Sequence, residues 1–350
     1  MAAEIKELLK EMVEAKASDL ILEANAPMAL RIGGQLRFMK QVYNAAEIGV
    51  LLTSILNPTQ KIRLENEKQL DCSYELVSGE RFRVNLHFQK GSLAAAIRAV
   101  PKVVPSRQEL RLPEVIEELV KLQNGLIIVT GPTGSGKTTT QACMVDMINQ
   151  QRAAHILTIE DPIEYIIENK KSLIEQREVG TDAIDFPGAL RAALRENPNV
   201  ILIGEMRDLE TISTAITAAE TGHLVISTLH TSGVVNAVDR IIDVFPAHQQ
   251  NQVRSQLSLT LRAILAQELI PRKDKKGVIA AVEVLIGVPA IRNVIRKAQT
   301  HEIPTLIEVG KKYGMQTMSE AMLQLLRKGL IELDEALSRV PDPDAFRKRI

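Results

Sequence analysis

Apolar residues recur at helical spacing near the start of the chain. Ile5, Leu8, Leu9, Met12 and Val13 are separated by charged residues, which predicts an amphipathic helix over residues 4–16. Short segments with strand composition follow, divided by glycine-containing turns. These segments are Asp19–Glu23, Ala29–Ile32, Asp71–Leu76, Phe82–Phe88 and Ala94–Ala99, with a helix predicted over Ala46–Leu56. Residues 1–99 are therefore predicted to form a small mixed α/β domain.

The hydrophobic pattern changes after residue 99. Residues 100–113 contain three prolines and show no clear period, and because proline fixes φ and removes a donor, they are predicted to be an extended linker. A helix is predicted over Glu114–Leu122. Apolar runs then alternate with helical patterns, which predicts a mainly parallel sheet covered by helices. The runs are Gly125–Thr130, His155–Ile159, Val200–Ile203 and Leu224–Thr228, and the pattern is mostly helical from about residue 289.

Composition narrows the classes of function. The 350 residues include 43 basic and 43 acidic side chains, so the chain lacks the basic excess of a nucleic-acid-binding protein, and no nucleic-acid partner is expected. Two cysteines, Cys72 and Cys143, cannot form a four-cysteine zinc site, and neither zinc nor a disulfide framework is expected. No apolar run approaches the roughly 18 residues of a membrane helix. Neither a transmembrane segment nor a signal peptide is expected.

A glycine-rich loop follows the predicted strand Gly125–Thr130. Gly131–Thr138 reads GPTGSGKT, which fits G-x-x-x-x-G-K-[ST] completely. In this motif the loop's backbone N–H groups surround phosphate oxygens, the lysine reaches the β- and γ-phosphates, and the hydroxyl holds Mg²⁺. The complete motif between a strand and a helix disfavours a plain turn that binds nothing. The predicted ATP-binding residues are Gly131, Pro132, Thr133, Gly134, Ser135, Gly136, Lys137, Thr138 and Thr139, with Thr138 also binding Mg²⁺.

Acidic residues end two of the predicted strands. Glu160 and Glu164 follow His155–Ile159, and Glu205 follows Gly204, which stands where many Walker B motifs carry Asp. The carboxyl ends of strands form the ligand crevice of a doubly wound sheet, so both segments are expected to face the phosphate loop. Either segment alone could be a solvated turn, but the phosphate loop favours a role in hydrolysis. The sequence leaves open which of Glu164 and Glu205 activates the water.

Two histidines flank the strand predicted at Leu224–Thr228. His223 and His230 lie seven positions apart, and they form a weak metal pair because no cysteine or third histidine is nearby. Their spacing fits γ-phosphate sensors and hydrogen-bonded core histidines equally well.

Arginines in both domains are candidates for a role in trans. Arg81 and Arg83 share one face of a predicted strand, because side chains alternate with a period of two. A solvated surface pair is the simpler interpretation. The functional alternative is an arginine finger offered to the nucleotide of a neighbouring subunit. The candidates are Arg81, Arg83, Arg98, Arg195 and Arg207.

These motifs together resemble the secretion ATPases of type II and type IV systems, in the additional-strand RecA-like class. The resemblance is closest to the PilT-type pilus retraction motors and covers essentially the whole chain. The matching segments are TIEDPIEY at Thr158–Tyr165 for the Asp box, VILIGEMRDLET at Val200–Thr211 for Walker B, TGHLVISTLHT at Thr221–Thr231 for the His box, and ASDLILE and RFRVNLHFQKG for the PAS-like domain. AIRNVIRK at Ala290–Lys297 resembles the AIRNLIRE motif tied to retraction.

The resemblance implies an architecture and a function. It implies a PAS-like α+β domain at 1–99, a linker at 100–113 and a RecA-like ATPase domain at 114–350. It further implies a homohexamer that binds ATP between its domains, docks on an inner-membrane platform protein and powers pilus retraction and twitching motility. The protein would be cytoplasmic and peripherally associated with the inner membrane. Glu205 and Glu164 would carry hydrolysis with Glu160 near the metal, and His223 and His230 would couple phosphate state to domain rotation.

The sequence departs from the family pattern in the retraction motif. Val294 replaces Leu, and Lys297 replaces Glu with reversal of charge; the motif comprises Ala290, Ile291, Arg292, Asn293, Val294, Ile295, Arg296 and Lys297. The four-cysteine zinc motif of extension and secretion relatives cannot exist with two cysteines, which favours retraction. A pilus extension, type II secretion or accessory retraction motor remains an alternative. A nucleotide-gated module without turnover is another, disfavoured by the presence of Lys137, Thr138 and Glu205.

Overall fold

A computed structural model describes residues 2–340 and 342–350. The chain forms two compact units: Met1–Val103 with Glu164–Ile166, and Val104–Ile163 with Ile167–Ile350. The division falls inside the predicted linker. The expected extended conformation is wrong over part of it, because Arg107–Leu110 forms a short helix, α4. A capping box stabilises this helix, although prolines lie on both sides of it. Ser106 Oγ accepts the Glu109 N–H, and the Glu109 carboxylate accepts the Ser106 N–H.

The first unit is a six-stranded antiparallel sheet with helices packed on one face. In chain order its elements are α1 (Ala2–Glu14), β1 (Asp19–Leu22), β2 (Pro27–Ile32), β3 (Gln35–Val42), α2 (Ala45–Thr53), α3 (Pro58–Glu67), β4 (Gln69–Glu75), β5 (Arg81–Gln89) and β6 (Ser92–Val100). The strand order is β3-β2-β1-β6-β5-β4. Its core includes Leu9, Leu51 and Phe82. The sequence did not reveal β3, because this edge strand is exposed along most of its length and lacks alternation.

The second unit is built on a seven-stranded sheet. Its strands are β7 (Gly125–Thr130), β8 (His155–Glu160), β9 (Leu173–Glu178), β10 (Val200–Ile203), β11 (Leu224–Leu229), β12 (Leu261–Pro271) and β13 (Val278–Ile286). The order is β13-β12-β7-β11-β10-β8-β9, and only β13 runs antiparallel to its neighbour. The predicted fold class, with a mainly parallel sheet in this part of the chain, is confirmed.

The helices of the second unit connect these strands and form the C-terminal region. After α4 they are α5 (Ile116–Leu119), α6 (Lys137–Gln151), α7 (Phe186–Ala193), α8 (Leu209–Glu220), α9 (Val234–Asp243), α10 (Ala247–Thr260), α11 (Pro289–Arg296), α12 (Ile303–Val309), α13 (Met318–Arg327), α14 (Leu333–Leu337) and α15 (Pro343–Arg347). The helix predicted over Glu114–Leu122 is therefore limited to α5. Among the described residues, none of the helices has the length and apolarity to span a bilayer.

Strand register fixes which loops meet at one edge of this sheet. Thr130 lies opposite Leu229 in the parallel pair β7–β11, and Ile203 lies opposite both Ser227 and Ile159. The carboxyl ends of β7, β11, β10 and β8 therefore share an edge. The loops that leave these strands are brought together there.

The core of the first unit can be tested in α1. Leu9→Ala removes a fully buried side chain, whereas Val13 on the same helix is 38% exposed. We expect Leu9→Ala to lower the free energy of unfolding of the first unit by about 2–5 kcal/mol, because it leaves a cavity. Val13→Ala should change it by about 0.5 kcal/mol or less. Urea unfolding followed by circular dichroism compares the two, and equal losses would contradict the packing described.

Candidate functional site

The phosphate loop joins β7 to α6 and is tightly packed against β12. Gly131 has φ of +149°, and a Cβ built there would lie 2.3 Å from the Gln267 carbonyl oxygen. Glycine is therefore required by both conformation and space. The close approach to β12 holds the loop in its curled form.

Two polar side chains of the phosphate loop, Lys137 and Ser135, are buried. Lys137 is 8% exposed, and its Nζ donates to the carbonyl oxygens of Gly131 at 2.9 Å and Pro132 at 3.0 Å. Ser135 is 3% exposed, and its Oγ has no hydrogen-bond partner among the described residues. A buried hydroxyl without a partner is costly. A phosphate oxygen bound in the loop could supply one, so these residues fit a nucleotide phosphate.

A glutamine from β12 fastens the loop to the helix that follows it. Gln267 is 3% exposed; its Nε2 donates to the Ser135 carbonyl oxygen at 2.6 Å, and its Oε1 accepts from Thr140 Oγ1 at 2.7 Å. Sequence reasoning missed this residue because it did not identify β12. The available signal was a polar amide inside the apolar run LRAILAQELI.

Glu205 lies at the carboxyl end of β10 between a guanidinium and an imidazole. Its Oε1 is 2.7 Å from Arg207 Nε, and its Oε2 accepts from His230 Nε2 at 3.1 Å. The Glu205 side chain is 16% exposed, so a water molecule can still approach it. The structure thus brings together Glu205, Arg207 and His230 from the predicted set. Such a carboxylate is held in one orientation and can accept a proton from water.

Glu160 ends β8 and is nearly buried. It is 7% exposed, and its Oε1 accepts from Thr158 Oγ1 at 2.7 Å and from Gln176 Nε2 at 3.0 Å. Carboxylate oxygens held in this way are suited to orienting the shell of a Mg²⁺ ion. Thr158 and Gln176 are additional positioning residues that the sequence did not single out.

Steric crowding explains why Gly204 stands where many Walker B motifs carry Asp. A Cβ at Gly204 would lie 3.3 Å from the Ile159 carbonyl oxygen and 3.4 Å from Glu160 Cα. These contacts leave little room for an Asp side chain. The first acidic side chain after β10 is therefore at the next position, Glu205.

Glu164 belongs by its contacts to the first unit. It is exposed, and two residues later the Ile166 N–H donates to the Pro101 carbonyl oxygen at 3.3 Å. Ile163 immediately before it is bound in the second unit through Glu178 Oε2 at 3.1 Å. A catalytic role for Glu164 stays a prediction.

The structure separates the two predicted phosphate-sensing histidines. His230 follows β11 at the edge that holds the phosphate loop, whereas His223 precedes β11, where its carbonyl oxygen accepts the Gly125 N–H at 3.0 Å. The six-residue strand between them spans roughly 20 Å. His223 Nδ1 instead lies 3.0 Å from the Ala218 carbonyl oxygen. Within one chain, His223 does not reach the phosphate loop.

The predicted trans arginines occupy different surroundings. Arg83 lies opposite Arg98 in the β5–β6 register, and Arg98 Nε is 2.8 Å from Asp19 Oδ1. Arg81 begins β5, and Arg195 is exposed just after α7. Their role toward a second subunit stays a prediction.

The retraction motif forms α11. Ile291, Val294 and Ile295 are buried, so Val294 preserves the apolar contact that Leu would make there. Lys297 is the exposed C-cap of the helix. A cation is favourable beside the negative end of the helix dipole, whereas a glutamate is not. The charge reversal is therefore compatible with the helix.

Residues 2–286 match the family described as "Type II/IV secretion system protein". The chain belongs to this family. It is 44% identical over 344 residues to the "Type IV pilus retractation ATPase PilT" of Pseudomonas aeruginosa, covering 98% of this chain and 100% of that protein. It is 43% identical over 335 residues to a "Twitching motility protein" of Neisseria gonorrhoeae, covering 95% and 89%.

Solved structures agree with this assignment. A structure of the pilus retraction motor PilT with bound ADP superposes with a TM-score of 0.91 at 45% identity and covers 98% of each chain. The ATPase DotB of Legionella pneumophila superposes with a TM-score of 0.78 at 28% identity, covering 96% of this chain and 95% of that one. The predicted family, fold class and ATPase class are thereby confirmed.

Gln267 provides a test of how the phosphate loop is held. Gln267→Ala removes both hydrogen bonds that join Ser135 and Thr140 to β12. We expect ADP affinity to fall by about five-fold or more, since each lost buried bond costs about 1–3 kcal/mol. Isothermal titration calorimetry measures this, with the exposed Gln249→Ala as control. Equal affinities in the two variants would remove Gln267 from this role.

The two histidines form a matched pair for mutation. His230→Ala removes a contact to Glu205, so we expect the kcat for ATP hydrolysis to fall at least about ten-fold. His223→Ala, at the far end of the same strand, should leave kcat within about two-fold. Steady-state phosphate release compares them. Equal losses would mean that His223 acts on a site outside its own chain.

Proposed function

We propose that this chain is a homohexameric motor that couples ATP hydrolysis to retraction of type IV pili. The observation that carries the proposal is the match over the full length of a relative named as a retraction ATPase. The site geometry is consistent with it. The phosphate loop lies at the carboxyl edge of one sheet together with Glu205, whose carboxylate contacts Arg207 and His230. A P-loop ATPase needs a phosphate loop and an acidic residue at this edge.

The loop residues bind and orient the nucleotide in this proposal. Lys137 moves its ammonium from the loop carbonyls to the β- and γ-phosphates, and the Ser135 hydroxyl gains a partner. Thr138 at the start of α6 would hold Mg²⁺, with Glu160 ordering its surroundings. The ion, when bound, would neutralise charge that develops on the phosphate oxygens.

Glu205 is the residue we assign to the attacking water. Its carboxylate accepts the water's proton while His230 and Arg207 hold its two oxygens. His230 would report the loss of the γ-phosphate to the loop that leads into α9. Glu164 is retained as the alternative base, and Arg81, Arg83, Arg98 and Arg195 are retained as candidates for charge stabilisation across a subunit boundary.

The proposed partner is an inner-membrane platform protein of the pilus. The chain would then be cytoplasmic and held at the membrane through that partner. The α11 motif supports a retraction role, because it keeps its buried apolar residues while its polar residues Arg292, Asn293 and Arg296 are partly or fully exposed.

Related motor functions are less well supported. The "Type IV pilus ATPase PilU" of Pseudomonas aeruginosa is 36% identical over 348 residues, below the values for the two relatives described above. The "Type II secretion system protein E" of Aeromonas hydrophila is 32% identical, and the match covers 53% of its length. These differences favour a primary retraction motor over an accessory or secretion motor.

Two variants test the assignment of binding and chemistry. Lys137→Ala should abolish ATP turnover, because the ammonium that neutralises the β- and γ-phosphates is lost. Glu205→Gln keeps the shape of the side chain but removes the base, so kcat should fall by about 10²–10⁴-fold with ADP affinity unchanged. Phosphate release and calorimetry measure the two quantities.

The same two variants test pilus retraction in cells. Neither should restore pilus retraction to a strain that lacks this chain, whereas the wild-type chain should. Turnover at the wild-type rate by Glu205→Gln would exclude that residue as the base. Retraction supported by Lys137→Ala would contradict the motor function.

A further inference from the structure

Glu283 of β13 accepts hydrogen bonds from the first residues of two helices. Its Oε2 accepts the Val234 N–H at 3.0 Å, at the start of α9, and its carboxylate also accepts the backbone N–H of Met318, at the start of α13. Gly233, the N-cap of α9, offers no side-chain cap. Glu283 thus caps α9 from a distant strand and links it to the C-terminal helical region.

The start of α9 is connected directly to the catalytic residues. Only Thr231, Ser232 and Gly233 separate His230 from α9. The same loop is bound to the end of β7, where Thr130 Oγ1 lies 2.6 Å from the Thr231 carbonyl oxygen and 2.9 Å from Thr231 Oγ1. His230, which contacts Glu205, is therefore followed directly by Thr231, which is anchored on β7, and three residues later by Val234, which is anchored on Glu283.

The ionised form of Glu283 is energetically costly. Burial raises the pKa of Glu283 above the usual value for a glutamate, and the nearby carboxylate of Glu268 adds to the rise, against the lowering effect of the two N–H groups. Because the pKa of Glu283 is higher in the folded than in the unfolded chain, its contribution to the free energy of unfolding is fully present below the unfolded-state pKa. That contribution is lost as the pH rises through the folded-state pKa. The contacts with the starts of α9 and α13 are therefore the ones that favour the carboxylate, against the effect of burial.

We propose that Glu283 is a positioning residue for ATP hydrolysis, which fixes the start of α9 and thereby holds His230 against Glu205. Two helix N-termini attract its carboxylate more strongly than they would a neutral amide. Through Met318 the same contact ties the orientation of His230 to α13. This inference rests on the proposed ATPase function of the site.

Glu283→Gln is the decisive variant, because it preserves volume and removes charge. We expect kcat for ATP hydrolysis to fall at least about ten-fold, since small misplacements of a catalytic group have effects of this size. KM and ADP affinity should stay unchanged, because the phosphate loop is not involved. The thermal midpoint at pH 8 should stay equal or rise. Hydrogen exchange of residues 230–236 should accelerate, while that of α6 should not.

Glu268→Gln is the matched control, because it removes the neighbouring carboxylate of β12 without removing an acceptor from α9. It should leave both kcat and the exchange of residues 230–236 near the wild-type values. Wild-type kcat and exchange in Glu283→Gln would overturn the proposal. A joint fall of kcat, ADP affinity and thermal midpoint would also overturn it, since it would indicate a merely structural role.

The exchange measurement separates this inference from the proposed function. If the wild-type protein released no phosphate, the ATPase function would fail. Faster exchange of residues 230–236 in Glu283→Gln, but not in Glu268→Gln, would still establish that Glu283 positions the loop. Unchanged exchange would overturn the positioning role whatever the rate of turnover.

Discussion

The parallel alignment of β7, β11, β10 and β8 is the constraint on which the site depends. Their carboxyl ends meet at one edge, and each contributes a different group: the phosphate loop, His230, Glu205 and Glu160. A slip of one residue in any pair would turn its side chains to the other face of the sheet. The apolar residues that pack both faces therefore determine where these groups lie.

Buried and half-buried polar side chains hold this edge together. Gln267 joins the phosphate loop to α6, Thr158 and Gln176 orient Glu160, and Glu283 fixes the loop that carries His230. Each satisfies backbone or side-chain groups that the strands alone leave unpaired. Fully satisfied polar networks are rigid and specify one arrangement. The positions of the residues that would touch ATP thus depend on other side chains that would not contact ATP themselves.

The sequence predicted the parts of the structure that depend on local patterns. The phosphate loop, the strands around it and the acidic residues at their ends follow from contiguous motifs, and the family resemblance covers them all. β12 was missed because α10 runs directly into it without a turn signal, and Gln267 was missed with it. His223 and His230 lie at opposite ends of β11, so only His230 is at the edge that holds the phosphate loop. Their spacing in the sequence alone did not show this. Contacts such as Glu283 to Val234, between residues distant in sequence, have no local signature.

The most direct test is a structure of this chain with Mg²⁺ and a non-hydrolysable ATP analogue. The account predicts that Lys137 Nζ contacts the γ-phosphate and that a water molecule lies within about 3 Å of a Glu205 oxygen, in line with the γ-phosphorus. A γ-phosphate bound away from Lys137, or a water held by Glu164 with Glu205 turned aside, would contradict it.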